Sequence, residues 1–280
     1  MKRLFAALAL AGASVAALAQ AASTPAAAED TTAKQMAELR WLQAGSTASI
    51  DGKAQFKASP SYTFLDAGET DKFLKLNGNP PQGSAYTIAP TKGNWFGVLR
   101  FAPEGYIKDD EKIDADALLK QLQEQNAAGN EEKRKQGYET LTIEGWALPP
   151  RYDAQNKRLE WGTRLRADRD NAPLVNVSTR ILGRSGYTSA ILVSTPETLE
   201  ADLADFKLAL KDFDYVSGEK YSEWREGDKV AAYGLGALVV GGAAAAVASK
   251  GGFKLIGLAI AAAAAGLWAG VKRLLARKKT

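Results

Sequence analysis

Two kinds of hydrophobic spacing divide the chain. From Ala48 to Ser194 the apolar positions mostly alternate with polar ones, the two-residue period of half-buried strands. "ASIDGKAQFK", Ala48 to Lys57, places Asp-Gly between two short runs and predicts a hairpin. "SAYTIAP" and "NWFGVLRFA" predict two strands joined at "TKGN", with Trp95 and Phe96 on opposite faces of the second. Leu141–Leu148 predicts a strand ending at Pro149-Pro150. In "KRLEWGTRLRA", Leu159, Trp161, Thr163 and Leu165 face one way and Arg158, Glu160, Arg164 and Arg166 the other. "LVNVSTRILG" and "GYTSAILVS" predict a further hairpin around "GRSG".

Helical spacing interrupts this pattern in a few places. Thr31–Leu42 predicts a helix with Met36, Leu39 and Leu42 on one side. "GETDKFLKLNG" predicts a short helix stopped by Gly78. Asp114 is placed to cap a helix, with Ile113 and Leu118 at the spacing of a hydrophobic staple. After Thr195 and Pro196, Leu199, Leu203, Phe206, Leu210 and Phe213 form an apolar stripe. A short run around Phe213–Val216 returns toward a sheet edge. Hairpins dominate, with helices between groups of strands. The pattern therefore predicts an α+β fold, mainly an antiparallel sheet with packed helices, followed by C-terminal hydrophobic transmembrane segments.

The two ends follow a different rule. Lys2 and Arg3 precede an apolar run, Leu4 to Leu18, and small residues recur through Ala21. That is the plan of a secretory signal peptide over residues 1–21. From Val230 to Val271 only Lys250 and Lys254 are charged, and five positive charges fill the tail, residues 272–280. The sequence thus divides into a signal peptide, an extracytoplasmic domain over 22–229, a hydrophobic membrane anchor over 230–271 and a basic tail. The tail's excess of positive charge favours one span ending in the cytoplasm, with a helical hairpin as the alternative. Ala237, Gly241 and Ala245 have a spacing that allows close helix contact in a bilayer. The expected partners are the lipid bilayer and another membrane protein or a second copy of the chain, and the expected location is the bacterial inner membrane with the domain on the periplasmic side.

Composition narrows the chemistry. The 280 residues include no histidine and no cysteine. A Ser-His-Asp triad, a Cys-His pair, thiol redox chemistry and Cys/His zinc sites are excluded. The formal charge of +4 belongs to the ends, because residues 22–249 hold 27 basic against 32 acidic side chains, about −5. Nucleic-acid binding is not expected of such a domain, and no cofactor, metal or catalytic residue is expected.

Two clusters remain. Glu104, Asp109, Asp110, Glu111, Asp114 and Asp116 crowd one stretch. It lacks the calcium-loop pattern and reads as a solvated helix entrance. A carboxylate hydrolase or transferase centred on Asp109, Asp110 or Glu111 is the enzymatic alternative to a non-catalytic binding module, and a structural protein assembling through its membrane helices is a third reading. Arg164, Arg166 and Arg180, on neighbouring strands, form the candidate ligand-binding patch for an anionic group.

The blocks "NWFGVLRFAPEGYIKDDEKIDADALL", "GWALPPRYDAQNKRLEWGTRL" and "GDKVAAYGLGALVVGGAAAAVASKGG" resemble an uncharacterised bacterial membrane-anchored family, domain of unknown function 2167, from about Thr31 onward. The resemblance implies an envelope location and a membrane anchor, and no activity. The closing order of hairpin, amphipathic helix and short strand is similar to the layout of small α/β/α sandwiches such as PsbP-like domains.

Overall fold

The computed structural model describes residue 32 and residues 34–77, 79, 81–93, 95–135 and 140–241. The signal peptide, residues 242–271 of the anchor, the basic tail and the Gly78 stop lie outside the described residues. The chain divides into two units at Ala37/Glu38. In the first, residues 34–37 are helical. The helix expected to run to Leu42 has ended by residue 38, and in the second unit Leu42 already donates a backbone hydrogen bond to Phe64 (2.9 Å). All that follows concerns this second unit.

Asp51 and Gly52 turn the first hairpin with φ of 49° and 66°. That left-handed pair suits the natural twist of two strands, which is why Asp-Gly signals a hairpin. It joins β1 (Thr47–Ile50) to β2 (Ala54–Lys57), and β10 (Phe213–Tyr215) pairs with the other edge of β2. The remaining strands form one antiparallel seven-stranded sheet. They are β3 (Tyr62–Leu65), β4 (Tyr86–Pro90), β5 (Phe96–Ala102), β6 (Leu141–Asp153), β7 (Arg158–Ala167), β8 (Pro173–Leu182) and β9 (Tyr187–Ser194), in the order β3-β4-β5-β9-β8-β7-β6.

One face of this sheet carries Leu99, Val175, Val177, Ala190 and Leu192. The three-stranded sheet and α3 (Leu199–Ala209) cover it, contributing Phe56, Phe206 and Phe213. The other face carries Phe96, Leu159, Trp161, Leu182 and Tyr187. Helix α1 (Ala67–Leu76) covers its β5 side, with Phe73 5.1 Å from Phe96. Helix α2 (Ala115–Lys135) runs beside β6, taking hydrogen bonds from Trp146 and giving them from Gln123 and Asn130. Thus Trp95 and Phe96 each lie beneath a helix, since Trp95 meets Phe206 edge-on at 5.5 Å. Antiparallel sheets with a few helices make this an α+β fold.

Three expectations shift. Strand β6 continues through Pro149-Pro150 with register irregularities, because as the outermost strand it tolerates missing N–H donors. Helix α3 begins at Leu199, after a turn at 196–198, and Phe213 belongs to β10 rather than to its stripe. Finally, residues 230–240, the start of the predicted hydrophobic segment, pack onto the domain. Val230 bridges Tyr106, and the short helix α4 (Leu235–Val239) buries Leu235, Leu238 and Val239 against the second face. Gly241 has φ of 115°, so Ala237 and Gly241 do not share a helical stripe. An apolar run looks alike whether protein or lipid solvates it. Among the described residues no helix is long and apolar enough to cross a membrane.

Candidate functional site

Strand register places the three arginines. Arg164 and Arg166 alternate on β7 and project from the face that carries Val175, since Arg164 stands opposite Val175. Arg164 donates to the Trp146 carbonyl, and Arg166 pairs with Glu144 at 3.1 Å; both are exposed. Arg180 stands opposite Leu159, and therefore shares the other face with Trp161, Thr163 and Leu165. The structure brings Arg164 and Arg166 together and sets Arg180 apart. A single patch of the three does not form, because the β7–β8 register sets Arg180 opposite Leu159 and so on the other face from Arg164 and Arg166.

Arg180 is buried, at 2 % exposure. Its guanidinium lies 4.7 Å from the Trp161 ring centroid and 5.7 Å from that of Tyr187. Nη1 donates to Ser189 Oγ at 2.7 Å, and Nε has no hydrogen-bond acceptor. Among the described residues no carboxylate pairs with it. Burial lowers its pKa, against the attraction of Tyr187 and Tyr233. Burial likewise raises Tyr187, which Arg180 counteracts. An isolated buried ion costs several kcal/mol after relaxation. Two cation–π contacts of about 2 kcal/mol each when desolvated, and a charged hydrogen bond of about 1.5–3 kcal/mol, offset it without neutralising it.

A second guanidinium stands in the same cross-strand row. Arg100 on β5 is opposite Ser189 on β9, and Ser189 is opposite Arg180 on β8. Residues directly opposite share a face, so both arginines flank one half-buried hydroxyl, their Cα atoms about 10 Å apart across two strand spacings. Arg100 is exposed and marks the solvent side of the row. This row offers N–H and O–H donors and two positive charges, a chemistry suited to an anion. Sequence reasoning missed Arg100 and Ser189. The alternation of "NWFGVLRF" signalled an outward Arg100, but nothing local announced that β5 would pair with β9.

The other fully buried cation among the described residues, Lys133 on α2, is differently placed. Burial pushes its pKa down to about 8, with the Asp168 charge opposing.

The acidic stretch is occupied with holding the fold. Asp109 accepts from Tyr152 (2.7 Å) and Lys157 (2.8 Å). Burial opposes its ionisation, but the hydrogen bonds from Lys157 and Tyr152 outweigh it and hold its pKa below the usual range. Lys157 also lies 5.0 Å over the Tyr221 ring, which stacks on Tyr106. Glu111 accepts from the Gly236 amide (2.8 Å) at the start of α4, and Asp114 accepts from the Ala117 amide (3.1 Å) at the start of α2. Asp110 is exposed. Among the described residues no group of three or more acidic side chains could hold a metal ion.

Comparison with known proteins bears out the family resemblance seen in the sequence. No curated protein matches the chain. Among solved structures it is similar to cyanobacterial PsbP (CyanoP) from Synechocystis sp. PCC 6803, at 9% identity and a TM-score of 0.35, covering 62% of this chain and 95% of that one. Residues 42–272 match the family described as Protein of unknown function (DUF2167). The match takes in every described strand, β1 to β10, and the chain belongs to that family.

Proposed function

We propose that this is a membrane-anchored binding domain of the bacterial envelope, facing the periplasm, whose row Arg100–Ser189–Arg180 takes an anionic group. One observation carries the binding reading: Arg180 is a buried cation without a carboxylate, and its Nε lacks an acceptor. Buried charges are ordinarily paired, and an anionic group would supply the partner that Arg180 lacks. Arg100 and Ser189 supply the solvent-side approach and a hydroxyl donor. A carboxylate or a phosphate monoester would satisfy the same donors. The acidic stretch gives less support to a hydrolase, since Asp109 and Glu111 are engaged in tying segments together.

The anchoring part of the reading is supported by the sequence of residues 242–271, charged only at Lys250 and Lys254. Titration calorimetry on the detergent-solubilised full chain, with inorganic phosphate and acetate as probes, tests the binding. Binding is expected for wild type and for Arg164→Ala with Arg166→Ala, and its loss for Arg180→Met. Equal binding by Arg180→Met would remove the site. Retention in membranes through an alkaline carbonate wash, with protease cleavage of the domain in spheroplasts, tests the anchor and its orientation.

A further inference from the structure

Among the described residues three large apolar side chains stand exposed: Leu208 at 49 %, Trp224 at 40 % and Val230 at 40 %. Leu208 is alone on α3. Trp224 and Val230 meet at Tyr106. The Trp224 ring lies 5.3 Å from that of Tyr106, and the chain at 229–231 runs beside Tyr106 as a bridge, with Tyr106 N–H donating to the Lys229 carbonyl and Ala231 N–H to the Tyr106 carbonyl, both at 2.8 Å. A Cβ at residue 105 would lie 2.7 Å from the Lys229 carbonyl oxygen, so Gly105 permits this approach. The result is an apolar edge made by an indole, a phenol ring and a valine.

We infer that this edge, Tyr106–Trp224–Val230, sits in the headgroup layer of the bilayer and orients the domain on the membrane. The inference rests on the anchoring part of the proposed function. What selects a lipid surface over another occupant is where the patch lies along the chain. Val230 is eleven residues before Gly241, after which comes the stretch 242–271 with two charges. With α4 in that interval, Gly241 lies no more than roughly 30 Å from Val230. Trp and Tyr, apolar bodies with a polar handle, concentrate at the membrane–water interface for that reason. Surface charge contributes little attraction. Asp228 is held by Arg184 in two bonds of 2.7 and 2.8 Å, Lys229 is turned to the Pro103 carbonyl, and Arg225 is accompanied by Glu226. The contact should therefore be insensitive to the fraction of anionic lipid.

The chain has no cysteine, so single labelling sites can be introduced without a background. The full chain would be reconstituted into phosphatidylcholine vesicles, with and without phosphatidylglycerol. An environment-sensitive fluorophore would be placed through Trp224→Cys, Val230→Cys or, on the opposite side of the sheet, Leu208→Cys. Nitroxide lipids labelled near the headgroup are expected to quench the first two several-fold more than the third, in both lipid mixtures. If the chain stays with the vesicles through carbonate washing and positions 224 and 230 quench no more than 208, the patch is overturned and the anchor stands. If the chain washes off, the anchor and the patch fall together. Variants Trp224→Phe and Trp224→Ser separate folding from contact, because only the second should let a label at 230 escape quenching while circular dichroism stays unchanged.

Discussion

Arg180 and Trp161 belong to adjacent strands but not to the same register pair, and they meet as cation over ring at 4.7 Å. The indole thereby holds a charge that no described acid balances. Replacing Arg180 by Met keeps the stacked aliphatic volume and removes the desolvation cost. Arg180→Met is expected to leave stability unchanged or raise it by about 1–2 kcal/mol, whereas Arg180→Ala opens a cavity and lowers it by about 2–4 kcal/mol. Urea unfolding of both variants checks this. A loss on Arg180→Met as large as on Arg180→Ala would mean that the charge itself stabilises the fold.

Gly97 on β5 faces the Phe206 ring of α3. A Cβ there would lie 2.6 Å from the Phe206 ring. Phe206 is fully buried and also packs on Trp95, so it has little room to yield. Gly97→Ala is expected to destabilise by about 1–3 kcal/mol through overpacking, and a double change with Phe206→Leu should recover part of it. Chemical denaturation of the two variants decides the matter.

The acidic stretch separates residue by residue. Asp109→Ala leaves the Tyr152 hydroxyl and Lys157 ammonium without their acceptor and should cost about 1–2 kcal/mol, the lower part of the usual range because Lys157 is partly exposed. Glu111→Ala should cost about 1 kcal/mol as a lost amide acceptor and speed hydrogen exchange in residues 234–240. Asp110→Ala should fall within about 0.5 kcal/mol of wild type. Mass-spectrometric exchange together with thermal unfolding reads all three.

Glu69 gives the pH dependence a sign. The Lys72 ammonium first, then the Arg40 backbone amide, lowers its pKa from 4.5 to about 2, against burial. A lowered folded-state pKa contributes stability that is complete above the unfolded value and is lost as pH falls from about 4.5 toward about 2. Both partners are well exposed, so the contribution is about 1 kcal/mol. Glu69→Gln should flatten that part of the stability–pH curve, measured by urea midpoints between pH 5 and pH 2.

Much of the fold was legible because its signals are local. Asp51-Gly52, the alternation from Arg158 to Arg166, and the Ile113–Asp114–Leu118 helix entrance each depend on neighbours within a few residues. The site was less legible. Arg100, Ser189 and Arg180 are aligned by pairings between strands up to ninety residues apart, which periodicity does not encode. The same limit hid the packing of Leu235, Leu238 and Val239. Their composition suits lipid as well as protein, and only Glu111 and the second sheet face, distant in sequence, decide between them.

Strand β10 pairs with β2, so Phe213 lies opposite Phe56 although the two are separated by nearly the whole domain. The small sheet is stitched from the first and last threads of the fold. A chain still emerging from the ribosome cannot complete it, and such long-range closure is slow. The three-stranded sheet therefore closes only once β10, the last strand to be made, has joined β2.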